Sequence, residues 1–170
     1  VICQRPGFKL EKAWHPLLRV EPVPLDIHCG RTFRILVITG PNTGGKTVAL
    51  KTVALCIILA WFGLPIPAAE ASEVGPFSSV FFDIGDEQSV EQNLSTFSAH
   101  IMKTIEMLHL AERNSLLLID EMGSGTDPQE GAALGIAILD VLREKGITTI
   151  ATTHHNPIKR FALATPSIET

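Results

Sequence analysis

The sequence predicts an α/β fold, a mostly parallel sheet flanked by helices on both faces. Three observations lead there. Short, continuously apolar runs of strand length alternate with longer stretches of helical spacing, the pattern of buried parallel strands joined by crossover helices. The helical stretches carry recognisable start and stop residues. Residues 40–47, Gly-Pro-Asn-Thr-Gly-Gly-Lys-Thr, fit G-x-x-x-x-G-K-[ST] directly after one strand and before one helix, which is the context of a phosphate-binding loop.

Residues 1–34 are Pro-rich and irregular, with short apolar runs such as Leu17-Leu18, and read as edge strands and loops. Ile35–Thr39 reads as a central strand, short, apolar and bounded by Gly40-Pro41. Lys46–Phe62 reads as a helix stopped by Gly63 and Pro65. Residues 64–77 form a connector with one short strand near Ala68–Ala71. Ser79–Ile84 is the next strand, ended by Gly85. Thr96–Glu112 reads as a helix with Phe97, Ile101, Ile105 and Leu108 on one face and Ser95 as N-cap. Ser115–Ile119 is a buried strand. Pro128–Glu144 is a helix with Asp127 as N-cap, Pro128 first, Glu130 third and Gly146 as its stop. Thr148–Thr152 is the last strand, and Pro157–Ala164 opens a final helix.

A chain of 170 residues is one domain or part of one. Its net charge of −4 gives no electrostatic footprint for nucleic acid, so any DNA contact is expected from other segments. Cys3, Cys29 and Cys56 are far apart and form no C-x-x-C pair; neither a zinc site nor a disulfide framework is indicated, and reduced thiols in a cytoplasmic protein are expected. The apolar stretch Ala54–Leu64 is too short to span a bilayer and reads as a buried helix, with no membrane partner. The chain lacks an initial Met and reads as a piece of a longer protein.

The chemistry concentrates at three places. In the 40–47 loop, Gly40, Pro41, Asn42, Thr43, Gly44 and Gly45 are the expected phosphate-binding residues, and all but Pro41, which has no N–H, offer a backbone N–H to an anion, helped by the N-terminus of the next helix. Lys46 is expected at the β- and γ-phosphates of a nucleoside triphosphate, and the Thr47 hydroxyl on Mg²⁺. The apolar strand Leu116–Ile119 ends in Asp120-Glu121, a Walker B pattern: Asp120 would hold Mg²⁺ through water, and Glu121 would orient or deprotonate the attacking water. Standing alone, such a pair would equally end a strand at the surface. After the last strand, His154 lies on the ligand side of a parallel sheet, where it can contact a γ-phosphate; His155 reads better as a solvated loop residue. Two Gly-containing polar stretches, Asp83–Ser89 leading to Ser95-Thr96, and Met122–Asp127, sit at element ends, where loop chemistry and N-capping explain much of both.

Taken together, ITGPNTGGKT, DIGDEQSVEQNLSTFSAHI, LLLIDEMGSGTDPQEGAAL and ATTHH resemble the ATPase domain of the MutS family, and most closely its second bacterial subfamily, which lacks the mismatch-reading domain. His15-Pro16-Leu17-Leu18 resembles the segment preceding the loop in that family. The likeness covers nearly all of residues 1–170. It implies a P-loop, ABC-type ATPase that takes ATP and Mg²⁺ and works as a homodimer. It implies that Ser95 and Thr96 cap a helix facing the partner's nucleotide, that the loop ending at Asp127 crosses the dimer interface, and that His154 is the switch histidine. Val23, in Pro22-Val23-Pro24, corresponds to the adenine-contacting segment. The family carries its DNA-binding lever and clamp before this core and, in the subfamily, a nuclease domain after it; neither is expected within these residues, nor are the last strands and dimer-stabilising helices. Suppression of homologous recombination through branched DNA and, in some bacteria, ribosome rescue are the roles the resemblance brings.

Three other readings stay open. In one, ATP only sets conformation, which the adjacent Glu121 argues against. In another the chain is a small-molecule kinase, but the Arg-bearing lid is lacking, Arg113 being the only Arg between the two nucleotide motifs. A different ABC-type repair ATPase should show L-S-G-G where this chain has Leu94-Ser95-Thr96-Phe97.

Overall fold

In a computed structural model of the chain, the described residues are 6–18, 21–41, 44–85 and 95–170, with the side chains of residues 95–97 excepted. Two sheets form. The larger has β3 (Ile35–Thr39), β5 (Ser79–Asp83), β6 (Ser115–Ile119), β7 (Thr148–Thr153) and β8 (Ile168–Glu169) in the order β5-β6-β7-β3-β8, and every pairing is parallel. The smaller is antiparallel, with β1 (Phe8–Ala13) between β2 (Leu25–Cys29) and β4 (Glu73–Val74). Helices α1 (Lys46–Trp61), α2 (Ser95–Leu110), α3 (Pro128–Lys145) and α4 (Asn156–Ala164) complete the chain.

The period-2 alternation of strand side chains builds a core on each face of the parallel sheet. From β6, Leu117 and Ile119 join Val37, Leu139, Leu142 and Ile158 on the face covered by α2, α3 and α4. Leu116 and Leu118 point the other way, to Leu50, Val53 and Ile57 of α1 and to Phe8 and Leu10 of the small sheet. All five β6 residues are therefore buried, each large apolar side chain contributing roughly 1.5–3 kcal/mol of transfer free energy. The antiparallel sheet is thus part of the second core layer, where the sequence led us to expect only edge strands and loops.

Three further expectations are corrected. The connector strand lies at Glu73–Val74, not 68–71, because Ser72 N–H donates to Ala69 O and closes a turn there. On α2, Ile105 is exposed, and the buried positions are Thr104, Met107 and Ala111 just beyond the helix end. Helix α2 is described over Ser95–Leu110, and the Ser95 side chain expected as its N-cap lies outside the described residues. Helix α1 buries Leu50, Val53, Cys56 and Ile57 but leaves Trp61 and Phe62 exposed at its end, so it is a one-sided helix rather than a fully buried one. No helix among the described residues is long and apolar enough to cross a membrane. Burial pushes the thiols of Cys29 and Cys56 up to about 12 and about 11, so both are packing groups.

Candidate functional site

The carboxyl ends of β3, β5, β6 and β7 lie along one edge of the parallel sheet, with Thr39 opposite Thr153 and Asp83 opposite Ile119. In such sheets this edge is where ligands bind. The 40–47 segment leaves it from β3, Asp120-Glu121 from β6, and His154 from β7.

Within the 40–47 segment, Asn42 and Thr43 lie outside the described residues. Gly40 and Gly45 have φ of 148° and 76°, values side chains rarely adopt. A Cβ at Gly44 would meet no atom within 4 Å, so protein packing does not account for that glycine: the backbone faces open space. Helix α1 starts at this point with no side-chain cap and no acidic residue in its first turn, which leaves its first N–H groups and positive end directed outward. Lys46 is buried, and its Nζ donates to Gly40 O at 2.7 Å and Pro41 O at 2.8 Å, so the ammonium is held inside the curve of the loop.

The loop meets β6 through side chains. Thr47 Oγ1 donates to Asp120 Oδ2 at 2.7 Å, across 73 positions of sequence. Asp120 Oδ1 accepts from Thr152 Oγ1 at 2.5 Å, and Thr152 Oγ1 in turn accepts the Glu121 N–H at 2.8 Å. One buried hydroxyl on the intervening strand β7 therefore fixes both members of the acidic pair. Glu121 has φ 48°, a left-handed conformation costing on the order of 1–3 kcal/mol that persists where neighbours over-determine it. Here they do: its N–H is taken by Thr152, and its carbonyl accepts from the N–H of Ser124 at 3.0 Å and from the Ser124 hydroxyl. These contacts fix the Glu121 backbone at the end of the strand.

Thr47 and Asp120 offer hard oxygen donors, the kind Mg²⁺ takes. Thr47 Oγ1 and Asp120 Oδ2 stand 2.7 Å apart as a hydrogen-bonded pair, so both donors are already brought to one place at the sheet edge, as a hard cation would need them. The residues fit the ion. Among the described residues no group of three or more His, Cys, Asp and Glu converges on a metal site.

Beyond Glu121 the chain turns through Gly123 (φ 88°) and Gly125 (φ 85°) into α3. Asp127 is the N-cap, accepting from Gln129 N at 2.9 Å and Glu130 N at 3.3 Å. The Glu130 carboxylate is engaged by Thr126 Oγ1. The turn lies tightly on α3: a Cβ at Gly131 would stand 2.0 Å from Gly123 O. His154 is exposed and lines a groove with Thr39, Gly40, Pro41 and Lys159, so it does reach the start of the glycine-rich loop. His155 stacks on it, centroids 4.4 Å apart. It is half-buried rather than a free loop residue, and burial, followed by the neighbouring His154, lowers its pKa while a backbone hydrogen bond at Gly123 opposes the shift. Val23 is 90% exposed between β1 and β2. The side chains of Ser95 and Thr96, and residues 86–89 of the DIGDEQS stretch, lie outside the described residues.

Sequence reading missed Thr152, whose hydroxyl looks like an ordinary β-branched strand residue until β6 is placed beside β7. It also treated Asp83 as loop chemistry. Asp83 is buried, with its carboxylate on His100 Nδ1 at 2.7 Å and Lys103 Nζ at 3.0 Å. The i, i+3 spacing of His100 and Lys103 on a helix was the available signal.

Residues 36–170 match the family described as MutS domain V. The chain is 59% identical over 155 residues to the Endonuclease MutS2 of Halothermothrix orenii, a match covering 91% of this chain and 20% of the relative. It is 54% identical over 168 residues to that of Streptococcus suis, covering 99% and 22%, and 51% identical over 168 residues to that of Symbiobacterium thermophilum, covering 99% and 21%. The chain thus spans about a fifth of the length of the curated relatives it matches. It belongs to the MutS family and fits its MutS2 branch.

Proposed function

We propose that this MutS-family chain is the P-loop, ABC-type ATPase domain of a longer DNA-structure-binding protein, and that it binds ATP with Mg²⁺ and hydrolyses it in sites shared between two copies. The observation that carries this reading is the 2.7 Å approach of Thr47 Oγ1 to Asp120 Oδ2, which joins the glycine-rich loop to the acidic strand end at the point where a metal-bound triphosphate needs both. The glycine backbone facing open space, the uncapped α1 terminus and the buried Lys46 support it.

In this reading, free backbone N–H groups of the glycine-rich loop and the α1 terminus bind the phosphates, and Lys46 Nζ moves from the Gly40 and Pro41 carbonyls to the β/γ oxygens. Thr47 and Asp120 would hold Mg²⁺, which would supply neutralisation of phosphate charge. Glu121, aimed by its constrained backbone, orients the attacking water and takes its proton. His154 reaches the γ-phosphate from the facing strand end. Val23 borders the adenine. Ser95, Thr96 and the loop ending at Asp127 meet the nucleotide of the second copy, so each site is completed in trans. DNA contact belongs to segments beyond this domain; recombination suppression and ribosome rescue are roles of the longer protein.

Glu121→Ala tests the assignment. The wild type should release phosphate from ATP in the presence of Mg²⁺, while the variant should bind ATP with similar affinity and lose about 10²-fold or more of its turnover. Unchanged turnover would remove Glu121 from the mechanism, and a wild type without turnover would defeat the hydrolase reading.

A further inference from the structure

Among the described residues, Asp83 is the one buried acidic side chain, and the nucleotide chemistry above does not use it. It closes β5, and its carboxylate is only 6% exposed. Such a charge is stable in a core when it is paired, and both partners come from α2: His100 Nδ1 at 2.7 Å and Lys103 Nζ at 3.0 Å. A carboxylate oxygen only accepts, so His100 donates through Nδ1. The backbone of Asp83 faces the other way, its carbonyl accepting the Asp120 N–H at 2.8 Å. One residue therefore holds α2 with its side chain and the Asp120-Glu121 strand end with its backbone. Between them lies a cavity of about 40 Å³ lined by Asp83, His100, Asp120, Glu121 and Ser124, large enough for ordered water.

We propose that Asp83 and His100 are positioning residues that couple α2 to the Asp120-Glu121 strand end, so that the placement of α2 sets the aim of Glu121. The inference rests on the hydrolase reading above, in which the first turn of α2 meets the second copy's nucleotide. Docking of that turn is then transmitted along the helix to His100, through the charged hydrogen bond to Asp83, and across one backbone hydrogen bond to Asp120. His100 touches no reacting atom; it acts through Asp83.

The test is steady-state ATP hydrolysis by the full-length protein carrying His100→Ala, His100→Asn or His100→Gln, beside wild type and Glu121→Ala. His100→Ala should lower kcat about 10- to 100-fold, the scale of a misplaced catalytic group, with KM for ATP nearly unchanged. His100→Asn keeps an amide donor close to where Nδ1 stands and should recover most of that loss, whereas His100→Gln, whose donor sits farther out, should not. A His100→Ala kcat equal to wild type overturns the coupling, and so does a His100→Asn protein as slow as the alanine variant. If the alanine variant does not fold, the asparagine–glutamine pair decides: equal turnover in the two overturns the proposal. Wild-type protein without turnover, or Glu121→Ala with full turnover, instead overturns the hydrolase reading and this inference with it.

Discussion

Replacing Thr152 by Val keeps the shape of the side chain and removes one hydroxyl that serves two neighbours. Asp120 Oδ1 loses its 2.5 Å donor, and the Glu121 N–H loses its 2.8 Å acceptor. A hydrogen bond to a charged group contributes about 1.5–3 kcal/mol, and an orphaned buried N–H costs about 1–3 kcal/mol. Asp120 is half-buried and water can partly replace its lost partner, so the lower ends apply and the sum is about 2.5 kcal/mol. For a chain of this size that is a fall in Tm of roughly 5–10 °C. The same change frees the Glu121 backbone from its left-handed conformation, so turnover should fall by about 10²-fold. Thr152→Ser keeps both hydrogen bonds and loses one methyl group, about 1 kcal/mol, and should keep most of its activity. Thermal unfolding and phosphate release, measured on both variants, check the reasoning. A valine variant with wild-type Tm and wild-type turnover would refute the role given to this hydroxyl.

Gly131→Ala sets two effects against each other. Alanine favours a helix over glycine by up to about 1 kcal/mol, but its Cβ would stand 2.0 Å from Gly123 O, and moving backbone costs about 1–3 kcal/mol; the variant should be net destabilised in a denaturant titration, and a rise in midpoint would contradict the packing described. His155 has a pKa depressed below its ordinary 6.5 by burial and by His154. The folded state thus resists its protonation, so its contribution is fully present above pH 6.5 and is lost as the pH falls through the folded-state value. His155→Gln should flatten that part of the stability–pH curve, and an unchanged acid limb would remove His155 as its source.

What could be read from the sequence was local. The strands 35–39, 115–119 and 148–153, the Asp127 cap and the Gly146 stop each declare themselves within a few residues, and the structure has them. The antiparallel sheet escaped because its strands come from residues 8–13, 25–29 and 73–74, and pairing between such distant pieces leaves no mark in any one of them. The α2 face was misjudged for a related reason. Its inward stripe runs through His100, Thr104, Met107 and Ala111, and His100 opens that stripe with a polar ring because it bonds the buried Asp83. Apolar spacing pointed to Ile105 instead. Thr152 was invisible until β7 stood between β3 and β6, since its hydroxyl matters only through the carboxylate beside it.

The central claim is that residues 40–47 and 120–121 form one half of an ATPase site completed by a second copy. It is tested most directly by phosphate release per subunit in the full-length protein, followed with Mg²⁺ and saturating ATP across a wide dilution series. The account predicts Mg²⁺-dependent turnover per subunit that falls on dilution as pairs separate. Turnover per subunit that stays constant down to concentrations at which the protein is monomeric would contradict it.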